Sequence, residues 1–486
     1  MFTNDGQTAF PLRIFAPPLT RRAFHDWWNG ESGYREVVQL AWPLFLSQGS
    51  STILQFLDRM FLTWYSPEDM AAAGPSGMLA FAIQALFIGL VGYVSVFVAQ
   101  YTGAGKPRNA VAAVWQAVYL SALSSLLILL IAPFGADIFR LAGHAPDVQQ
   151  LERAFFNILI YASFVGIASS AISAYFIGKG ETRIVLWVNL VGVAINIVLD
   201  YLLIFGNYGF PRLGIRGAAL ATVSAQISGL LIYAIAFWRA SRCAHVQNAW
   251  KPDFTLCRRL LRYGIANGVQ FALDMLGWTT FLLLIGRLGV TALGATNLAI
   301  QINTFAFFPI IGVAMAASTL VGQNLGKDRP DLAERAIWSA IHIGLLFTGT
   351  MAVFFLAIPG WLIAPFGAKA DPAEFAPVRD LAVIMLRFVA AYCLFDVGNL
   401  VFSSALKGAG DTLFVMLIST SMNVLLMLLP TLAWCIQPGG PGVLGAWSFL
   451  TLTVCMLAIA FLLRYRRGHW REMRVIEHEV IEPEAA

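Results

Sequence analysis

Charge is scarce in this chain. Of its 486 residues only 12% are charged, about half of the ~25% typical of a soluble domain, and mean hydropathy is +0.71. So little charge cannot cover a water-facing surface, which excludes an ordinary soluble protein. Cysteine is sparse too. The five present (Cys243, Cys257, Cys393, Cys435 and Cys455) show no CxxC spacing and mostly fall in apolar runs, against a disulfide framework or a zinc site. HExxH, GxSxG and GxxxxGK[ST] are all missing, so neither a hydrolytic centre nor an ATP-binding P-loop is offered. We therefore expect no enzyme and no cofactor. Of six histidines only His342 lies deep in an apolar run, where a packed, hydrogen-bonded ring is the ordinary reading.

What is abundant is apolar length. Runs of ~20 residues or more, enough to cross a bilayer, recur twelve times: 37–62, 70–100, 110–132, 153–178, 184–206, 216–238, 257–286, 292–322, 332–358, 379–406, 413–436 and 443–464. The connections are short, so no soluble domain is inserted. This divides the chain into a leader (1–36), a first set of spans (37–238), a linker (239–256), a second set (257–464) and a tail (465–486). The leader is polar and proline-bearing and lacks a signal-peptide pattern. Its last part, with Arg21-Arg22 and Trp27-Trp28, is expected either on the membrane surface or as a disordered tail. With the N-terminus inside, 23 of 32 Lys and Arg fall on the cytoplasmic side and 7 on the other, Arg59 and Arg387 lying within spans. The positive-inside rule then places both termini in the cytoplasm. The net charge of +5 thus reflects orientation in a lipid bilayer, and no nucleic-acid partner is expected.

The two sets of spans repeat. Val98-Ala99-Gln100, Gly103 and Pro107 recur as Val321-Gly322-Gln323, Gly326 and Pro330, an offset of 223. Gly178, Gly180 and Thr182 recur as Gly408, Gly410 and Thr412, Asn196 as Asn423, and Gly214, Gly217 and Ala218 as Gly442, Gly445 and Ala446. Six spans per half is an even number, so both halves enter from one side. The expected fold is an all-α membrane protein of twelve transmembrane helices, arranged as two six-helix lobes about a pseudo-twofold along the membrane normal, with a cleft between them.

Four carboxylates interrupt the apolar spans: Asp58, Asp200, Asp274 and Asp396. A charge at a bilayer centre costs ~2.5–3.5 kcal/mol on insertion scales, so each must face water, a partner or a cation. The alternatives are a structural ion pair or a span end closer than drawn, above all for Asp58 and Asp200. No acid has an acidic mate at the repeat offset: Asp58 maps to Phe281, Asp200 to Met427, Asp274 to Ser51, and Asp396 to Gly166–Ser169. Helical spacing sets other polar side chains beside the acids. Asn196 stands four residues before Asp200; Asn267, Gln270, Asp274 and Trp278 form one stripe; Asp396, Asn399 and Ser403 form another; and Ser47, Ser51, Gln55 and Asp58 approximate a fourth. Such stripes also serve as interhelical packing contacts. Pro43, Pro309 and Pro430 lie inside spans and are expected to kink them or free backbone groups.

The order of these motifs resembles the multidrug and toxic compound extrusion (MATE) transporters. Leu57-Asp58, Val98-Ala99-Gln100-Tyr101-Thr102-Gly103-Ala104-Gly105, Ile285-Gly286-Arg287-Leu288-Gly289, Val321-Gly322-Gln323-Asn324-Leu325-Gly326 and Leu406-Lys407-Gly408-Ala409-Gly410-Asp411-Thr412 are similar to that family's signatures. The resemblance implies that Asp58, Asn196, Asp200 and Thr222 form a coupling-cation site in the first lobe. It also implies that Asp274 and Asp396 match acids of the NorM-like branch, with Asp274 one methylene short of the usual Glu. Asn267, Gln270 and Asn399 join them as second-lobe candidates for binding a cation or the substrate. Asn297 stands where many relatives have His. The implied activity is antiport across the inner membrane, exporting cationic or amphipathic small molecules against H⁺ or Na⁺ by a functional monomer. Na⁺ at Asp58, Asp200, Asp274 or Asp396 would be the only metal. A lipid or lipid-linked oligosaccharide flippase, a membrane-embedded enzyme and a passive channel are the rivals.

Overall fold

The computed structural model describes residues 21–141, 145–243, 248–367, 371–437 and 439–477; the expected leader over 1–20 and the tail beyond 477 lie outside the described residues. All regular structure among the described residues is helical. In chain order it comprises α1 (Arg21–Asn29), α2 (Tyr34–Tyr65), α3 (Pro67–Gly92), α4 (Val94–Gly103), α5 (Pro107–Leu129), α6 (Gly135–Leu141), α7 (Pro146–Tyr161), α8 (Ser163–Lys179), α9 (Thr182–Phe205), α10 (Ile215–Cys243), α11 (Phe254–Gly286), α12 (Val290–Gly326), α13 (Pro330–Ala357), α14 (Pro359–Gly367), α15 (Pro372–Ala409), α16 (Thr412–Met422) and α17 (Gly442–Arg466).

These elements supply the twelve spans, α3 continuing into α4 and α7 into α8. Ten spans among the described residues are long and apolar enough to cross a membrane, and the α7–α8 pair, bent by 45°, makes eleven. The remaining span, α2, has 32 residues, but Gln48, Ser50, Ser51, Gln55, Asp58 and Arg59 dilute its hydropathy. Local chemistry sets the boundaries. Proline opens α3, α5, α7, α13 and α15, where its missing N–H costs nothing. Gly180 and Gly410, repeat-mates, close α8 and α15 with φ of +84° and +116°, a conformation that favours glycine. The helices overrun the apolar runs, α10 reaching Cys243 and α11 starting at Phe254, because helix propensity and caps continue past the bilayer edge. Asp253, for instance, caps the N–H of Leu256 at 3.0 Å.

The internal prolines differ in their surroundings. α2 and α12 run unbroken through Pro43 and Pro309, and the breaks fall instead at Tyr93 and Ala162. Only Pro430 sits in altered backbone, between wide π-helical turns at Asn423–Leu428 and Thr431–Cys435.

Helices α2 to α10 form the first lobe and α11 to α17 the second, and their apolar cores meet: Leu256 and Leu260 at the start of α11 pack into the first, and Val37 and Ala41 at the start of α2 into the second. The lobes are joined toward the face that carries both described chain ends, here the terminal face. The joint obeys the repeat. Gln100 Nε2 donates to the Gly408 carbonyl at 3.0 Å, and its mate Gln323 donates to the Gly178 carbonyl at 2.8 Å. Each lobe's glutamine thus ties down a helix end of the other. Glycine makes the approach possible. A Cβ on Gly103 would lie 1.9 Å from the Gln323 carbonyl oxygen, and one on its mate Gly326 would lie 2.0 Å from that of Gln100.

Alanine at Gly326 is expected to lower stability by ~1–3 kcal/mol, the usual cost of overpacking, read as the Tm of the purified protein. Gly349, with nothing within 4 Å of a built Cβ, is the control and should tolerate alanine. Equal Tm values for the two variants would contradict the tight joint.

Candidate functional site

Four of the expected site residues meet in the first lobe. Asp58 comes from α2, Asn196 and Asp200 from adjacent turns of α9, and Thr222 from α10. Asn196 and Asp200 are fully buried. Oriented with its NH₂ toward the acids, the Asn196 amide donates to Asp58 Oδ1 and to Asp200 Oδ2 at 2.9 Å each. Its oxygen then accepts from the Thr222 backbone N–H at 3.2 Å. The Thr222 hydroxyl is turned back onto its own helix, donating to the Ala218 carbonyl at 3.0 Å, so Thr222 contributes through its backbone. Asp200 Oδ1 is buried without a hydrogen-bond partner.

The shared Asn196 amide holds the two carboxyl groups side by side. Like charges ~4 Å apart repel by ~4 kcal/mol at an effective dielectric of about 20. The arrangement therefore calls for a proton or a cation between them, and carboxylate oxygens suit either. Asn189 on α9 donates to the Ser47 hydroxyl on α2, holding the two acid-bearing helices together. Sequence spacing did not single out Asn189.

In the second lobe the acids are separate. Asp274 on α11 accepts from Gln270 Nε2 at 3.4 Å and from Asn423 Nδ2 at 3.2 Å. Gln270 also donates to the Ser419 hydroxyl at 3.2 Å. Asn423 is the repeat-mate of Asn196, so the same amide position meets a carboxylate in each lobe, although the carboxylates themselves are not mates. Asp396 on α15, 8% exposed, accepts from Asn399 Nδ2 at 3.0 Å beside the buried Tyr392, whose hydroxyl accepts from Asn303 at 3.2 Å. Among the described residues no hydrogen bond or ion pair joins Asp274 to Asp396.

Several expected stripe members turn elsewhere. Asn267 donates to the Gly89 carbonyl at 2.7 Å, an inter-lobe tie well away from Asp274. Ser403 bonds its own backbone at Leu400, and Trp278 stacks on Phe281. Lys407, expected in a loop, lies in the last turn of α15. Its backbone carbonyl accepts from the Tyr93 hydroxyl at 2.7 Å. Among the described residues no three His, Cys, Asp or Glu side chains converge as a metal-ligand cluster.

With the geometry in place, comparison with known proteins is informative. A family model described as MatE matches residues 43–202 and 268–432, one stretch in each lobe. The multidrug resistance protein NorM of Burkholderia vietnamiensis is 27% identical over 434 residues, covering 88% of this chain and 93% of that protein. A probable multidrug resistance protein NorM from Thermotoga maritima is 23% identical over 446 residues, covering 92% and 95%. An outward-facing structure of a multidrug resistance MATE family transporter superposes with a TM-score of 0.80 at 19% identity, covering 92% of this chain and 98% of that one.

Removing the Asn196 amide orphans two acids at once. Asn196→Ala should cost ~2–3 kcal/mol of stability. Combined with Asp58→Asn it should cost less than the sum of the two changes, because residues in one network couple by ~0.5–3 kcal/mol. A double-mutant cycle on thermal unfolding checks this, and strict additivity would count against the shared amide.

Proposed function

The chain belongs to the MatE family, and from that premise we propose that it is a secondary antiporter exporting cationic or amphipathic organic compounds. What carries the reading is the shared amide: Asn196 holds Asp58 and Asp200 side by side with one buried carboxylate oxygen open. Such a pair changes affinity steeply when a proton or Na⁺ arrives, and a ligand shifts only an equilibrium it binds differentially. In this reading Asp58, Asn196, Asp200 and Thr222 hold the coupling cation. Asp274 with Gln270, and Asp396 with Asn399, receive the substrate's positive charge or a second cation, while Asn267 braces the lobes between which the substrate passes. No cofactor takes part.

The relatives' names as multidrug resistance proteins support a drug-like substrate class and do not favour the flippase reading. They are transporters, in keeping with a chain that is not an enzyme. The protein is multi-pass in the membrane, supported by its ten to eleven apolar spans. We place it in the inner membrane with the terminal face toward the cytoplasm, on the distribution of Lys and Arg. Residues 37–238 and 257–464 act as the two lobes, 239–256 links them, 1–36 and 465–486 are cytoplasmic, and a monomer suffices.

Everted vesicles loaded through a cationic dye test this, with a pH gradient or a Na⁺ gradient imposed in turn. Asp58→Asn and Asp396→Asn should each reduce gradient-driven dye movement by about tenfold or more, equivalent to ~1.4 kcal/mol. Undiminished transport in both variants would overturn the site assignment, and equal flux without either gradient would overturn antiport.

A further inference from the structure

Beyond α17 the chain does not leave the protein. Residues Trp470–Glu477 cross the terminal face from one lobe to the other. At the start of this segment, Trp470 stacks on Tyr465 with ring centroids 5.4 Å apart and donates to the Tyr465 carbonyl at 3.0 Å. Trp470 and Met473 join the apolar core of the second lobe. Arg471 pairs with Glu334 at 2.6 Å and Arg474 with Asp328 at 3.1 Å, fixing the segment to α13 and to the turn before it.

Five residues beyond Trp470 the same segment reaches the other lobe. Val475, 2% exposed, and Ile476 pack into the core of the first lobe. The Val475 N–H donates to Gln100 Oε1 at 2.8 Å. This is the same amide whose nitrogen reaches across to Gly408, so the segment occupies the other half of a hydrogen-bonding group that forms the joint. Glu477 then accepts from the Tyr101 hydroxyl of the first lobe at 3.1 Å and forms an ion pair with Arg259 at the start of α11. Arg259 also donates to the Val475 carbonyl at 3.3 Å.

We propose that Trp470–Glu477 is a latch: it holds the terminal-face joint shut, and its first-lobe end must release before the cleft can open to that face. The geometry allows little else. A segment buried in two apolar cores only a few residues apart cannot stay seated in both when the lobes separate. Trp470, stacked and flanked by two ion pairs, is the fixed end. Val475–Glu477, whose polar ties to the first lobe are the Gln100 bond to the Val475 N–H and the Tyr101 bond to an exposed Glu477, is the end that lets go. The latch therefore sets the balance between the two access states, and anything that binds its free end biases the cycle. The inference rests on the alternating-access reading above for its consequence, although the latch can be tested without transport.

The test uses the full chain in lipid nanodiscs, its five cysteines replaced by alanine, with spin labels at Arg108→Cys and Lys327→Cys. Both positions are exposed at the terminal face, one in each lobe. The unmodified segment should give one dominant short distance. Glu477→Ala and, from the first lobe, Tyr101→Phe should each raise the ratio of long to short distances by about two- to fivefold, the usual weight of one partly exposed hydrogen bond. Combining the two should raise the ratio by less than the product of the single effects, because both remove the same bond. Glu472→Gln, exposed on the same segment, should leave it unchanged. Unaltered distributions in both single variants, each monodisperse on gel filtration, would overturn the latch. Because the distances report lobe separation whether or not dye moves, a failure of the antiport reading would show separately, in the vesicle experiment.

Discussion

The structure depends on two crossed hydrogen bonds. Gln100 of one lobe holds the Gly408 carbonyl of the other, and Gln323 returns the same contact to Gly178. Each carbonyl belongs to the last turns of a helix, where no intrahelical N–H remains to satisfy it. Each amide sits where glycines let two backbones touch. These bonds, with those from Tyr93 to Lys407 and from Asn267 to Gly89, tie together two lobes whose apolar cores also meet. Each is worth about 1 kcal/mol net, small beside the apolar burial around it.

Upon this symmetric joint sits an asymmetric set of charges. Asn196 and Asn423 are repeat-mates and both donate to carboxylates, yet in the first lobe the amide bridges two acids, whereas in the second it meets one. The scaffold supplies equivalent amide donors, and the acids were placed upon them independently. This explains how a duplicated fold can carry two different sites without disturbing its packing: an acid needs only a donor already pointing inward.

Much of this was legible in the sequence, for identifiable reasons. Apolar length and the spacing of Gly and Pro gave the twelve spans, because bilayer thickness and helix capping act locally. The pairing of Asn196 with Asp200 followed from their four-residue separation, and Asp58 joined them by motif resemblance. What stayed hidden depends on contacts between distant segments. Lys407 read as a loop cation because the last turn of α15 extends past the apolar run. Asn267 read as a companion of Asp274, but the close approach of Gly89 to α11 draws its amide across to the other lobe. Pro43 and Pro309 read as kinks or as sites of freed backbone groups, and the helices that hold them run on without interruption. The segment Trp470–Glu477 is too short and too mixed in composition to signal anything until both lobes are in place around it.

The mismatch between repeat and charge has one more consequence. From the terminal-face start of α2, Asp58 is 24 residues along, while Asp274 is 20 residues along α11. From the start of α9, Asn196 is 14 residues along, while Asn423 is 11 residues from the start of α16. At 1.5 Å per residue, both comparisons set the second-lobe pair about 5 Å closer to the start of its own helix. Repeat-related helices thus present their acids on different turns, so one duplicated fold holds two unlike stations and not two copies of one.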